Sequence, residues 1–265
     1  MKKLFLMGAL ALIVMNATAQ VQGVSAEKIG AVNPSVVLLR NVEFEPAFDY
    51  FWSKKTFDDN GKLIPLSKET DSINILRALG FRFTYGFAKN FEAGGLITSD
   101  LNNFSLGVKY RLFAHKKFSG AALLGTTFSN ESDIVLRNTG FFGKTASLAG
   151  GFSFANKLGK HFSVDYDFQY QNLFDGYKSY ADNYYIHADA GYMLKGNHLM
   201  IAGLAWQYNH YKYDKKDAYL LTLNLGTAIM TGRTFILVFN FPFDLIGKNT
   251  DRFNGLTFAL TIILD

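Results

Sequence analysis

The chain has no cysteine, few charged residues and only 4 prolines among its 265 residues. The missing cysteines exclude a disulfide framework, a thiolate metal site and a cysteine nucleophile. Charged residues make up 18% of the chain, below the roughly 25% of ordinary globular proteins. The formal net charge is +5, or +3 once the charges of Lys2 and Lys3 are subtracted, which is too small and too dispersed to predict a nucleic-acid partner.

Long apolar runs are also scarce. The one at the start, Leu4 to Met15, follows two lysines and precedes the small residues Ala17-Thr18-Ala19. This order predicts a cleaved signal peptide over residues 1–19. No later segment has the ~18 consecutive apolar residues that predict a transmembrane helix. We therefore expect an exported chain that no helix anchors.

Aromatic residues, by contrast, make up 16% of the chain and recur at every second position. In the stretch VEFEPAFDYFW, residues 42–52, the even positions are all apolar or aromatic, whereas the odd ones begin with Glu43 and Glu45. A period of two predicts a β-strand with two unlike faces. The pattern recurs and predicts twelve strands, at 42–53, 72–87, 91–99, 104–114, 118–128, 145–155, 161–171, 184–194, 198–210, 218–229, 234–242 and 255–265.

The connections between these strands alternate in length. Short turns such as residues 88–90 follow the even-numbered strands, and mostly longer stretches such as residues 54–71 follow the odd-numbered ones. This asymmetry, with strands of ~9–11 residues or more, is typical of barrels that cross an outer membrane. Residues 42–265 are therefore predicted to form an all-β fold, a single antiparallel up-and-down transmembrane β-barrel of about 12 strands with both termini in the periplasm.

The apolar face of each strand is predicted to point outward into lipid. Twelve strands enclose more volume than side chains readily fill, and a Lys or Arg facing lipid at the membrane midplane costs about 2–4 kcal/mol. Outward aromatic residues near both strand ends predict two interfacial girdles. Two residues fit poorly. Pro46 predicts a bulge or an unpaired position in strand 1. The outward parity of Arg77 indicates either that strand 2 begins nearer Ala78, the simpler explanation, or that Arg77 reaches the outer-leaflet headgroups.

Across its mature length the chain resembles the Gram-negative outer-membrane β-barrel class. Within that class, VEFEPAFDYFW resembles the first strand of outer-membrane transporters associated with aromatic-compound (phenol) degradation. Asn33-Pro34-Ser35 is similar to an Asn-Pro-Ala element in the N-terminal plug of long-chain fatty-acid transporters. The last strand, GLTFALTIILD, resembles the signal that the barrel-assembly machinery reads, although it lacks the usual terminal aromatic. The resemblance implies residence in the cell outer membrane, among its lipid and lipopolysaccharide.

Charged residues of interior parity are the predicted lining of the lumen and its selectivity elements. They are Glu43, Glu45, Asp49, Arg82, Glu92, Lys109, Arg111, Asp165, Asp167, His187 and Asp189. Seven acids against three bases predict a weakly cation-leaning channel, or facilitated-diffusion route, for small solutes. An alternative of equal weight is that these charges pair across the wall, for instance Glu92 with Lys109 or Arg111.

One cluster invites a chemical interpretation. If Tyr170 lies opposite Tyr184, then Asp167 faces His187 and Asp165 faces Asp189 in the lumen, where they would bind a divalent cation or simply line the wall. We favour lining, and no metal site or cofactor is predicted.

Apolar residues also reach the interior, at Leu199, Ile201, Leu220, Ile236, Val238 and Ile263. They suit small apolar or aromatic solutes, or packing against residues 20–41, which are expected to form a periplasmic or plug segment.

Two other function classes were weighed. An outer-membrane lipid hydrolase needs a Ser, a His and an orienting acid at the outer rim. Here the one outward His near the longer loops is His210, with no outward Ser in evident reach, so no enzyme is predicted. A structural or adhesion barrel with a filled lumen is disfavoured by the small interior side chains of strands 5 and 6.

Overall fold

The structure, a computed structural model, describes residues 21–25, 28–66, 73–129, 145–175, 178–194, 197–212, 216–232 and 234–264. The predicted signal peptide lies outside these residues. The strands are β1 Val42–Phe57, β2 Leu63–Pro65, β3 Asn74–Ala88, β4 Phe91–Thr98, β5 Asn103–Ala114, β6 Phe118–Ser129, β7 Thr145–Lys157, β8 Phe162–Asp175, β9 Lys178–Met193, β10 His198–Tyr211, β11 Lys216–Thr231, β12 Phe235–Lys248 and β13 Thr250–Leu264.

Twelve of these strands form a closed barrel. Each pairs antiparallel with its neighbour along the chain, and β13 pairs with β1 to complete the circle. The short β2 stands outside this order and pairs only with Lys55–Phe57 at the end of β1. The predicted twelve-stranded antiparallel barrel is confirmed. The described residues contain no helix long and apolar enough to cross a membrane.

Exposure alternates along each strand and shows which face looks outward. Large apolar side chains of outward parity are about half exposed, among them Leu106 (45%), Leu124 (54%), Leu148 (54%), Phe168 (47%) and Leu204 (48%). Their neighbours of opposite parity are buried, as Ser105 and Gln169 are at 0%. A contiguous apolar exterior with a polar interior is the arrangement of a barrel that lies in lipid.

The two ends of the barrel differ. The end at which β1 begins and β13 ends carries brief connections such as Lys89–Asn90 between β3 and β4, and we call it the short-turn end. The opposite end, called the loop end, carries β2 and the connection over residues 130–144, which lies outside the described residues. Aromatic rings follow one another around both ends: the Phe154 and Tyr166 centroids are 5.5 Å apart at the short-turn end, and those of Tyr170 and Tyr184 are 5.3 Å apart toward the loop end.

Several strands run further toward the loop end than their patterns predict. Residues 243–254 were expected to be a loop, but β12 continues to Lys248 and β13 begins at Thr250, with Asn249 alone making the turn at φ 52°. A register shift between Leu221 and Thr222 accounts for the difference, because it leaves Leu245 and Ile246 both exposed and so breaks the period of two.

Pro46 and Arg77 were the two residues that fitted poorly. Pro46 keeps its place opposite Phe81, but the β1–β13 register passes from Phe44 to Ala47, so the expected unpaired position is present. Of the two explanations for Arg77, the later strand start is wrong, because β3 already begins at Asn74. Arg77 lies on the outer face with its guanidinium 5.6 Å from the centre of the Tyr50 ring, a contact that an exposed arginine can make without an acidic partner.

Candidate functional site

The lumen is occupied by the chain's own N-terminal segment. Residues 21–25 and 28–37, here called the plug segment, lie inside the short-turn half of the barrel, and several of their side chains are wholly enclosed: Val21 is 1% exposed, Ala31 0% and Val32 1%. The segment has no strand or helix of its own, and its backbone N–H groups must therefore donate to other parts of the chain. Several of them donate to acids of the barrel wall.

Asp189 of β9 holds the middle of the plug segment. Its Oδ2 atom accepts the backbone N–H groups of Ile29, Gly30 and Ala31 at 3.2, 2.8 and 2.9 Å. Three convergent N–H groups stabilise a carboxylate in the way a helix N-terminus does, since hydrogen bonds to an ionised group are the strong ones. This carboxylate therefore faces the plug segment and not an open pore.

The predicted acidic cluster beside Asp189 is also engaged. The β8–β9 register sets Tyr170 opposite Tyr184, the pairing on which the predicted cluster depended, and with it Asp165 opposite Asp189 and Asp167 opposite His187. Asp167 accepts the Val32 N–H at 2.8 Å and lies 3.0 Å from His187 Nδ1.

Asp165 has plug partners as well. It accepts Asn33 Nδ2 at 2.8 Å and pairs with Lys28 Nζ at 3.1 Å. Among the described residues there is no group of three potential ligands that would hold a metal ion. Groups of the plug segment bond to these acids in the place that a divalent cation would have taken.

A second anchor lies on β4 and β5. Glu92 and Lys109 face each other across these strands with Nζ and Oε1 3.1 Å apart, and both side chains are 0% exposed. Ser25 bonds to both residues. The backbone N–H of Ser25 donates to Glu92, and Lys109 Nζ donates to the Ser25 carbonyl oxygen, each at 2.8 Å. Glu92 also accepts the Val37 N–H at 2.6 Å, and Lys109 donates to the Asn33 carbonyl at 2.9 Å.

Arg82 forms a third anchor between the plug segment and β1. Its guanidinium donates to the Val24 carbonyl at 2.6 Å and to Glu45 at 2.8 Å, and lies 3.6 Å from Glu43. Glu45 also accepts the Thr261 hydroxyl, so β13 is joined to the same network. Ion pairs that also bond to plug backbone thus hold the plug segment inside the short-turn half of the lumen.

Glycines in the barrel wall make room for the plug backbone. Gly94, Gly107 and Gly125 are neighbours across β4, β5 and β6. A Cβ atom on Gly107 would collide with the carbonyl oxygen of Gln22, and one on Gly94 with those of Phe83 in the wall and Gly23 in the plug segment. A Cβ on Gly125 would lie 2.9 Å from the Leu106 carbonyl oxygen of the wall and 3.1 Å from a Val21 methyl group. Residues 21–23 thus run along a row of wall positions that lack side chains.

Apolar contacts complete the fit. Val21, Val24 and Val32 form one buried cluster with Leu123 and Ala149 of the wall. On the other side, Ile29 packs against the cluster that includes Leu199, Ile201, Ala228, Ile236 and Val238. Four members of this second cluster were predicted to be an interior apolar patch, and the structure brings them together around a plug side chain.

Two predicted lumen residues, Arg111 and Asp49, lie apart from these anchors, and so does His210, the outward histidine considered for a hydrolase. Arg111, offered as an alternative partner of Glu92, instead donates to the Lys89 carbonyl at 3.0 Å and to Asn90 Oδ1 at 2.8 Å, because it lies at the end of β5 beside the β3–β4 turn. Asp49 faces Thr257 nearer the loop end. His210 lies at the loop end with Asp217, 2.8 Å from Nδ1 to Oδ1, and both side chains are about half exposed.

Two chambers remain beside and above the plug segment. The outer chamber lies in the loop half between β9–β13 and β1, with Ile29 and Gly30 as its floor, and has a cavity volume of about 100 Å³. The side chamber, with a cavity volume of about 200 Å³, runs between the plug segment and β1, β3 and β4 down to Glu45 and Arg82. Asn240 and Thr257 line both chambers, and therefore the two adjoin.

Comparisons with known proteins find the fold and no sequence family. No family model and no curated protein matches the chain. Among solved structures, an outer membrane channel from Pseudomonas putida F1 is 10% identical, with 87% of this chain and 98% of that one covered at a TM-score of 0.66.

Two further structures are more distant. The KdgM porin in complex with disordered oligogalacturonate is 10% identical, with 82% and 98% covered at a TM-score of 0.50. The translocator domain of the autotransporter NalP from Neisseria meningitidis is 8% identical, with 97% and 94% covered at 0.51. The fold of this chain is thus the fold of outer-membrane β-barrels, established by shape alone.

Proposed function

We propose that this chain is an outer-membrane channel for small solutes that the plug segment closes on the periplasmic side. The observation that carries the proposal is the outer chamber, which lies in the loop half of the barrel and has Ile29 and Gly30 of the plug segment as its floor. A solute enters from outside, and its passage requires the plug segment to move. The apolar exterior and the likeness in fold to the Pseudomonas putida channel support this location and role.

The polar bonding of the plug segment suits a closure that opens. Hydrogen bonds and ion pairs to wall carboxylates can exchange for water, whereas a plug held by a large apolar core cannot leave without exposing it. Once the segment moves away, Asp165, Asp167 and Asp189 line the passage. The passage then favours cations and neutral solutes over anions, in keeping with the sign of the lumen charge.

The solute class is narrowed by the chamber wall. Phe51, Tyr185 and Phe253 line the outer chamber together with amide and carboxylate side chains. Such a mixed lining suits a solute with an apolar or aromatic body and a polar group, in agreement with the resemblance to transporters associated with aromatic-compound degradation.

Swelling of proteoliposomes tests the proposal. The full chain and a chain lacking residues 21–37 are reconstituted after heat-modifiable migration shows that each has folded, and arabinose, glucosamine and gluconate are supplied in turn. We expect slow swelling with the full chain. The shortened chain should swell rapidly, fastest with the cationic glucosamine and slowest with gluconate. A shortened chain that admits none of the three would instead favour a structural barrel with a filled lumen.

A further inference from the structure

The two ends of the barrel differ in the sign of their surface charge. Exposed basic side chains lie before β1, in the turns after β3 and β5, and at the end of β7 with the turn that follows it. They are Arg40, Lys89, Lys116, Lys117, Lys157 and Lys160, here called the basic rim. No described residue of the short-turn end is an exposed Asp or Glu. The surface of this end is therefore of one sign.

The loop end has no such excess. The acidic side chains that the structure describes outside the lumen all belong to the loop end: Asp58, Asp59, Asp100, Asp182 and Asp217. Two of them have basic partners, since Lys212 Nζ lies 3.1 Å from Asp182 and His210 Nδ1 lies 2.8 Å from Asp217. Charges of both signs are thus mixed at the loop end, and the short-turn end alone presents a field of one sign.

The basic rim has no charge partner of its own. Within the described part of the chain, none of its cationic groups has a carboxylate oxygen within the 4.0 Å of an ion pair. Two of its lysines are direct neighbours, because the backbone N–H of Lys157 donates to the Lys117 carbonyl at 2.8 Å. Like charges that face each other across two strands are destabilising. An anion from outside the chain would relieve this repulsion.

The basic rim lies directly beyond the aromatic girdle of the same end. Lys117 immediately precedes Phe118, and Lys160 is two positions before Phe162. The girdle continues around the barrel, with the ring centroids of Phe118 and Phe154 6.0 Å apart. Aromatic side chains of a transmembrane barrel lie at the level of the lipid headgroups. The long lysine side chains therefore reach the layer that holds the lipid phosphates.

We propose that the basic rim binds anionic phospholipid headgroups in the leaflet around the short-turn end, with its ammonium and guanidinium groups donating to phosphate oxygens. The rim extends over seven of the twelve barrel strands, β1 and β3 to β8, and its turns have only two to four residues. Lipid surrounds a barrel over such an arc, whereas a partner protein needs a contiguous face. This binding fixes the depth of the barrel in the bilayer, a role separate from the proposed conduction.

Electron spin resonance of spin-labelled lipids tests the proposal, with the full chain reconstituted in phosphatidylcholine vesicles. The fraction of lipid immobilised at the barrel is measured for labelled phosphatidylglycerol, which is anionic, and for labelled phosphatidylcholine, which carries no net charge. We expect phosphatidylglycerol to associate at least about threefold more strongly, because each lysine near an anionic headgroup favours that lipid. The preference should fall as salt is added, since salt screens exposed charges.

Two variants with the same change in charge locate the preference. The first replaces the five lysines of the basic rim: Lys89→Gln, Lys116→Gln, Lys117→Gln, Lys157→Gln and Lys160→Gln. The second replaces five lysines of the loop end: Lys54→Gln, Lys55→Gln, Lys62→Gln, Lys212→Gln and Lys248→Gln. The first variant should lose the preference for phosphatidylglycerol, and the second should keep it.

Three results would overturn the inference: equal association of the two lipids with the full chain, a preference that persists in the basic-rim variant, or the same loss in both variants. Heat-modifiable migration shows beforehand that each variant has folded. If the basic-rim variant does not fold, Lys116→Gln with Lys160→Gln should still lower the preference, and Lys54→Gln with Lys62→Gln should leave it unchanged.

Discussion

The Oδ2 atom of Asp189 accepts the backbone N–H of Gly30 at 2.8 Å, although the two residues are 159 positions apart in the sequence. Gly30 is the floor of the outer chamber, and Asp189 is fully buried in the wall beneath it. One carboxylate thus holds in place the part of the plug segment that separates the chamber from the short-turn half of the lumen. The bond connects the charge of the barrel wall with the closed state of the channel.

Asp189→Ala should loosen this closure. The substitution removes the acceptor of three backbone N–H groups and leaves each of them to find water, at about 1–3 kcal/mol for a buried group. We expect more frequent opening in planar-bilayer recordings than with the unaltered chain. Asp100→Ala, which removes a carboxylate from an exposed turn, is the matched control. An Asp189→Ala variant that stays as silent as the control would show that this carboxylate does not hold the plug segment.

The Glu92–Lys109 pair should stabilise the whole barrel. Both side chains are fully buried, so Lys109→Met leaves an uncompensated carboxylate and should cost about 3–5 kcal/mol. Adding Glu92→Gln removes that charge and should recover part of the loss. The temperature at which the heat-modifiable band shifts in gel migration measures both effects. A double variant less stable than Lys109→Met alone would mean that Glu92 contributes mainly through Ser25 and Val37.

The row of wall glycines gives a steric test with a matched pair. Gly107→Ala places a methyl group against the Gln22 carbonyl, and every atom close to it belongs to the plug segment. Gly150→Ala adds the same methyl group where the nearest atoms are at 3.5 and 3.8 Å, an ordinary contact. We expect Gly107→Ala to increase channel opening and Gly150→Ala to have no effect. Equal channel opening in the two variants would show that the position of residues 21–23 does not depend on the row of wall glycines.

The barrel could be predicted from the sequence because its elements repeat a simple pattern. Alternation predicts which side chains of β8 and β9 face inward, since one residue of slip would turn every apolar side chain inward. It does not fix which residues lie opposite each other: the facing of Asp167 and His187 depended on the assumed pairing of Tyr170 with Tyr184, which the register contains. The extension of β12 and β13 toward the loop end was not predicted, because the β11–β12 register shift breaks the alternation at Leu245 and Ile246.

The plug contacts were harder to predict for a different reason. The plug segment has no period, and its bonds to Asp167 and Asp189 involve backbone N–H groups that every residue except proline carries. The sequence therefore predicts which acids lie on the inner wall but not which residues bond to them. Ser25, Lys28 and Asn33 are among those partners. Two signals do bear on the answer: the interior glycines Gly107 and Gly125, and Asn33-Pro34-Ser35 before the first strand.

The central claim is that the plug segment is the barrier within an otherwise open barrel. Single-channel current across a planar bilayer under a salt gradient tests it most directly, with the full chain and the chain lacking residues 21–37 compared at equal protein. We predict long silent periods with brief openings for the full chain, and steady steps with a cation-selective reversal potential for the shortened one. Equal conductance from the two chains would contradict the claim.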